Sequence, residues 1–273
     1  MEDYKNIRNQ IKKNYLKNLI IRLDFEDIIE FDSSTIKDIT LYLREKNFEK
    51  NTGVFNEFSF KLNKEIKSIE DAQSISFDTL TKEVLVFNNN VDKIKIEICP
   101  FLIVINKYDK FDADYQGFEY FANLLIDLLT KIKNNEKISE TRLGIRKINT
   151  YEHENIEIFN NYFQDYVLGD FYKMSLPKNS INYAKRYTFE SSPYFINYQV
   201  NIRNGVIFKE NNQPKDVYQL KLDFDIYKDS NICNDNLKED LINMNTNLFN
   251  YYINAYKKDI INNYIINNKL LFE

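Results

Sequence analysis

Leu19-Ile20-Ile21-Arg22-Leu23-Asp24-Phe25 decides the first element of this chain, and Thr141 to Thr150 opens the second half in the same way. In the first stretch Leu19, Ile21, Leu23 and Phe25 alternate with Ile20, Arg22 and Asp24, the period of two of a strand with one face buried. Asp32-Ser33-Ser34 then offers N-cap oxygens to a helix whose Ile36, Ile39 and Leu43 recur at helical spacing. Strands are expected at Phe58/Phe60/Leu62, Ile75/Phe77, Val84/Val86 and Ile94/Ile96/Ile98, with a hairpin turn at Asn88-Asn89-Asn90. The run Phe101 to Ile105 reads as a strand buried on both faces. Phe118, Phe121, Leu125, Leu128 and Ile132 step by three and four along one stripe, a helix for which Asp114 is the expected N-cap.

Thr141 to Thr150 starts the order again. Phe159, Tyr162 and Tyr166 mark a helix that Gly169 ends. Strands follow near Tyr187/Phe189, at Tyr198/Val200/Ile202 and from Tyr218 to Ile226, with Asn204-Gly205 read as the turn between the last two. Leu241, Met244, Leu248, Tyr251 and Ala255 then define a long helix reaching about Ile261. Both halves read strand, helix, several antiparallel strands, helix, and matching elements are offset by about 122 residues, which predicts a pseudo-twofold architecture. The competing reading is two unrelated halves of similar rhythm. The expected class is α+β, mainly antiparallel sheets backed by helices. Residues 1–17 form an N-terminal basic segment, 18–135 the first half and 136–273 the second, as two units or one compact domain.

The composition supports a packed core: 43% of the 273 residues are apolar and 15% aromatic. Lys and Arg number 37 against 41 Asp and Glu, for a net charge of −4. That balance gives no global field toward nucleic acid or acidic membranes and leaves room for a local basic patch. Cys99 and Cys233 follow no metal or redox spacing, so a reducing, cytoplasmic setting is expected. The segment Met1 to Lys17 is charged throughout and has no apolar signal region. The longest apolar run, Ile98 to Ile105, contains Pro100 and falls well short of the roughly 20 residues a membrane span needs.

Two clusters could carry chemistry. In Arg142-Leu143-Gly144-Ile145-Arg146 the period of two puts both arginines and the glycine on one strand face. Two guanidinium groups flanking a residue without a side chain could clamp a carboxylate or phosphate, or could pair with carboxylates on a neighbouring strand. Asp223 and Asp225 share a face of a later strand, about 7 Å apart, where they could hold a divalent cation, divide acid and base roles, or pair with Lys or Arg. Asp112, Asp114, Tyr115 and Gly117 precede the helix of Phe118; three aspartates, Asp109 included, would repel an anion, so this junction reads as a packing corner. His153 has no partner for a catalytic triad. Phosphate loop, dinucleotide fingerprint and zinc pattern are all lacking from the sequence, and no cofactor is implied. Tyr183, Tyr187, Tyr194 and Tyr198, with Lys185 and Arg186, could stack on bases, but at strand spacing they read as half-buried sheet residues.

Taken together, Tyr115-x-Gly117-Phe118-x-x-Phe121, Arg142-x-Gly144-Ile145-Arg146-x-Ile148-Asn149, Leu222-Asp223-Phe224-Asp225 and a C-terminal helix resemble a sporadically distributed family of uncharacterised prokaryotic proteins of similar length. Phe118 takes the place of that family's Trp and Lys147 that of its Tyr. The resemblance implies a shared fold unit and carries no activity. Two functional expectations follow. The first is a non-enzymatic protein-binding protein, such as an immunity protein, antitoxin or accessory component of a bacterial defence or mobile-element system. Its partner would be another protein, with self-association also open, and Arg142, Gly144, Arg146 and Tyr115 would be the binding candidates. The alternative is a metal-dependent or nucleic-acid-processing enzyme using Asp223 and Asp225 with Arg142 or Arg146.

Overall fold

A computed structural model of the chain describes residues 15–26, 28–62, 75–109, 111, 117–133, 138–169, 181–208, 214–229, 232 and 236–266. The first half runs β1 (Leu16–Phe25), α1 (Ser33–Glu45), β2 (Glu49–Leu62), β3 (Ile75–Asn89), β4 (Ile94–Cys99), β5 (Leu102–Tyr108) and α2 (Phe118–Lys133). The second runs β6 (Glu140–His153), α3 (Glu157–Tyr162), α4 (Asp165–Leu168), β7 (Asn182–Ser191), β8 (Tyr194–Phe208), β9 (Pro214–Lys228), α5 (Leu237–Asn254) and α6 (Lys258–Ile266). Among the described residues nine strands form one antiparallel sheet ordered β2-β3-β4-β5-β1-β6-β9-β8-β7. The chain is therefore α+β, as its two apolar periods predict.

Strand order is the clearest sign of internal symmetry. β1 and β6 pair at the centre with Ile21 opposite Ile145. On its other side each has the last strand of its own half, Ile21 facing Ile105 on β5 and Ile145 facing Ile226 on β9. From there each half adds strands outward in reverse chain order, and among the described residues β2 is the one strand without a counterpart. The paired isoleucines are fully buried or nearly so. Their row is the floor on which the helices pack: α2 on β5, α5 on β6 and β9, and α2 against α5. One apolar cluster runs through both halves beneath those helices.

Local chemistry explains the elements. Asp32 caps α1 by accepting the Thr35 N–H at 2.6 Å. Asn89 builds the β3–β4 turn, its Oδ1 accepting from the amides of Val91 and Asp92 at 3.1 and 2.9 Å. Phe121, Leu125, Leu128 and Ile132 form the buried stripe of α2. β5 is buried on both faces at its start: Ile103 and Ile105 join the main core, while Leu102 joins Val84, Val86 and Cys99 in a second, smaller cluster on the opposite face. Gly53 admits that packing, because a Cβ there would lie 2.7 Å from Val86 Cγ2. Gly169 ends α4 with φ of 60°.

Several expectations are corrected. β1 begins at Leu16, inside the segment expected to precede it, and the Tyr15 ring packs against Tyr151 at 4.7 Å, tilted by 37°. Ile75/Phe77 and Val84/Val86 belong to one continuous strand, β3. Asn204-Gly205 is no turn: β8 continues to Phe208, with Asn204 opposite Tyr218 and Gly205 opposite Val217. Asn204 instead receives the entry to β7, its Oδ1 accepting the Ile181 N–H at 2.8 Å while its own N–H donates to the Ile181 carbonyl at 3.2 Å. The helix expected over Phe159 to Tyr166 is split at Phe163, and the final helix is split after Asn254. The two breaks meet. Phe163 and Tyr256 form an antiparallel bridge, the Gln164 N–H donates to the Ala255 carbonyl at 2.8 Å, and the Lys257 N–H donates to that of Tyr162 at 2.9 Å. Tertiary hydrogen bonds here replace the helical ones given up. Asp112, Asp114 and Tyr115 lie outside the described residues. Among the described residues no helix is long and apolar enough to cross a membrane.

Candidate functional site

The helices occupy one face of the sheet, and the two sequence-derived clusters lie together on the other. Leu143 and Ile145 point to the core, so Arg142, Gly144 and Arg146 point away from it. On the adjacent strand Leu222, Phe224 and Ile226 take the core side, leaving Asp223 and Asp225 beside the arginines. Arg146 stands directly opposite Asp225 but reaches diagonally to Asp223. Its Nε donates to Oδ1 at 2.8 Å and its terminal nitrogen to Oδ2 at 2.7 Å, a bidentate fork. Lys221 Nζ lies 3.7 Å from the same carboxylate. Hydrogen bonding to Asp223, more than any other influence, raises the Arg146 guanidinium above its ordinary value.

Arg142 reaches further along the neighbouring strand, its terminal nitrogen 3.9 Å from Asp225 Oδ2. It lies over the ring of Tyr227 at 4.3 Å, and Tyr227 stacks on Phe195 of β8 at 5.3 Å. Arg142 Nε is buried with no hydrogen-bond partner among the described residues. Gly144 faces Tyr227, and a Cβ there would meet Tyr227 Cβ at 3.5 Å, an ordinary contact. The glycine is thus not a cradle gripped between two arginines, since both guanidinium groups turn toward the aspartates.

Polar side chains continue the mesh to the sheet edge. Asn197 donates from Nδ2 to Asp225 at 3.2 Å and accepts at Oδ1 from Thr188 of β7 at 2.8 Å. Arg203 donates to Gln219 at 2.9 Å, and Gln219 donates to Glu152 of β6 at 2.8 Å. On β1, Arg22 pairs with Asp24 of its own strand at 2.6 Å. Cations and anions alternate across this surface, so it presents no single-sign field. The amide row Asn197, Gln199 and Asn201 was not singled out from the sequence, although its alternation with Tyr198, Val200 and Ile202 gives it the same face.

The arrangement limits the chemistry available to these groups. Both carboxylates are engaged by guanidinium and amide donors, and no group of three His, Cys, Asp or Glu side chains converges among the described residues. His153 accepts the Asn155 N–H at Nδ1, 2.9 Å away, in a local turn. Burial, reinforced by Glu97, pushes the Cys99 thiol up to about 11, which keeps it protonated and a poor nucleophile at neutral pH. Lys147 points to the helix side and donates to Asn245. No protein-family model matches the chain, and no curated protein matches it either.

Proposed function

We propose that this chain is a non-enzymatic protein-binding module whose partner docks on the polar face of the second half of the sheet, across β6, β9, β8 and β7. The observation that carries the reading is the mutual pairing of Arg142 and Arg146 with Asp223 and Asp225. A catalytic or phosphate-binding site keeps charges unsatisfied until its ligand arrives. Here they neutralise each other on an open face. Such a surface offers little to a polyanion, whose binding depends on uncompensated cations. It suits a protein surface, where complementary ionic and amide groups set register and specificity. An immunity protein, an antitoxin or an accessory subunit is the kind of role this reading favours.

The test is purification of the tagged chain from its own host, followed by cross-link mapping and affinity measurement with the co-purifying protein. Arg186→Glu with Arg203→Glu on the open face should weaken that complex at least tenfold, while Leu41→Lys on the outer side of α1 leaves it unchanged. Equal binding by both variants would remove the reading. So would tight, salt-sensitive binding of the chain to a nucleic acid oligomer.

A further inference from the structure

The strand that ends the second half of the sheet leaves groups unspent that the open face does not. Among the described residues β7 pairs with β8 alone, in one unbroken register from Asn182 opposite Arg203 to Ser191 opposite Tyr194. Its outer side is thus a row of backbone donors and acceptors with no strand beside it among those residues. Folded proteins normally keep an edge short, bulge it, interrupt it with proline or load it with charge. β7 has 10 residues, no proline and no shift in its register; what it carries is charge.

That charge is arranged symmetrically. Thr188 donates to Asn197 on the open face, so alternation puts Arg186 and Glu190 there too, one step to either side of it, with Lys185, Tyr187 and Phe189 toward the helices. Arg186 and Glu190 are exposed, and neither side chain has an ion-pair or hydrogen-bond partner among the described residues. Elsewhere on this face Arg22, Arg142, Arg146 and Arg203 are all engaged. On the helix side Phe189 is 37% exposed at the rim, and Tyr166 of α4, whose carbonyl accepts from the Tyr187 hydroxyl at 3.0 Å, is 55% exposed.

We propose that β7 pairs with the β7 of a second copy, antiparallel and centred on Thr188, forming a two-fold dimer in which one sheet continues into the next. In this register Arg186 faces the partner's Glu190 and Glu190 faces the partner's Arg186. Tyr187 faces the partner's Phe189, which covers the exposed ring, and Lys185 faces the partner's Ser191. The two-fold axis repeats each of these contacts, and opposite charges and aromatic rings directly across a strand pair are both favourable. Other registers that keep the two helix layers on one side lose this match. Centring on Tyr187 sets Lys185 against Phe189 and Arg186 against Thr188, and centring on Phe189 sets Arg186 against Ser192. A strand with a single sign of charge would repel its copy; this one is complementary to itself. The stretch from Lys185 to Ser191 is short beside the roughly 20–30 residues a side of a standard interface, so the dimer is weak and reversible, dissociating at about 10–100 µM. Continuing the sheet leaves its polar face open to the partner proposed above.

Sedimentation velocity of the purified chain alone, from about 2 to 500 µM, is the test. The wild type should pass from monomer to dimer over that range. Arg186→Glu and Glu190→Arg each set like charges against each other twice and should weaken the dimer about ten- to thirtyfold, with circular dichroism unchanged. An equimolar mixture of the two variants restores both opposite-charge pairs and should recover association to within about threefold of the wild type. A wild type that stays monomeric throughout, as it would with another segment of its own chain seated on β7, overturns the proposal. Single variants that dimerise as the wild type does place the interface elsewhere and overturn it as well, and a mixture no more associated than its components overturns the register.

Discussion

Truncating Arg146 should cost more stability than neutralising its partner, because the two ends of this ion pair sit in different surroundings. The Asp223 side chain is 4% exposed and that of Arg146 is 44% exposed. Arg146→Ala strands a buried carboxylate, leaving Lys221 at 3.7 Å as the nearest cation. Breaking a fully buried pair from one side costs about 3–5 kcal/mol, and an exposed pair about 0–1 kcal/mol. With one partner buried and the other nearly half in solvent, about 2 kcal/mol is expected. Asp223→Asn keeps an acceptor for the guanidinium and returns no charge to the interior, so it should cost about 1 kcal/mol. In the double variant the stranded charge is gone, and the combined loss should fall about 1 kcal/mol short of the sum of the single losses. Urea unfolding followed by circular dichroism, with the slope required to stay constant, measures all three. Arg146→Ala with an unchanged midpoint, or a double variant whose loss is strictly additive, would show that Asp223 does not depend on the fork.

Two further outcomes test other parts of the structure. Cys99 should resist alkylation at pH 8 in the folded chain and react once urea is added, as read by mass spectrometry of its peptide. Its folded thiol titrates near 11 against 9.0 unfolded. The unfolded state therefore sheds a proton first, and this thiol's contribution to stability, full below pH 9, is lost as pH rises toward 11. Full labelling of the native protein at pH 8 would contradict its burial. Tyr256→Phe removes the oxygen shared with Tyr151 at 2.6 Å and Tyr252 at 3.0 Å. It should cost about 1–2 kcal/mol and speed amide exchange at Phe163 and Tyr256, and unaltered exchange there would dissociate the tyrosines from the clip between the split helices.

Much of the fold was legible because local period and local chemistry agree with the tertiary structure. Leu19, Ile21, Leu23 and Phe25 alternate since one face of β1 is core, and Asp32 caps α1 through a bond spanning three residues. The errors arise where a distant contact overrides a local signal. Phe163 and Ala255 interrupt helical patterns because the bonds gained between the two breaks replace those lost within each helix, and neither segment carries a sign of the other. Asn204-Gly205 has turn chemistry, but its asparagine is spent on Ile181. For the site, period alone placed Arg142 with Arg146 and Asp223 with Asp225. Their convergence depends on β9 lying beside β6, a neighbour relation that spacing within either strand does not contain. The stacking of Tyr187 on Tyr198 was hidden for the same reason, because the two are adjacent only once β7 pairs with β8.

The pseudo-twofold relation also bears on why the two open faces differ. Ile105 and Ile226 occupy equivalent places beside the central pair, so equal steps back along β5 and β9 reach equivalent positions. Those positions hold Leu102 and Val104 in the first half and Asp223 and Asp225 in the second. Arg22 and Arg146 are likewise matched, each following its central isoleucine. In the second half the arginine finds an aspartate on the neighbouring strand; in the first, where that place is Leu102, Arg22 turns to Asp24 on its own strand. Leu102 meanwhile packs with Val84, Val86 and Cys99. One half of a common scaffold thus closes its outer face with apolar contacts, while the other keeps a hydrogen-bonded ionic surface. Core formation does not require that surface, because Leu222, Phe224 and Ile226 already supply the buried side of β9. Two aspartates and two arginines, where the first half has an apolar patch, form the surface on which the proposed partner would dock.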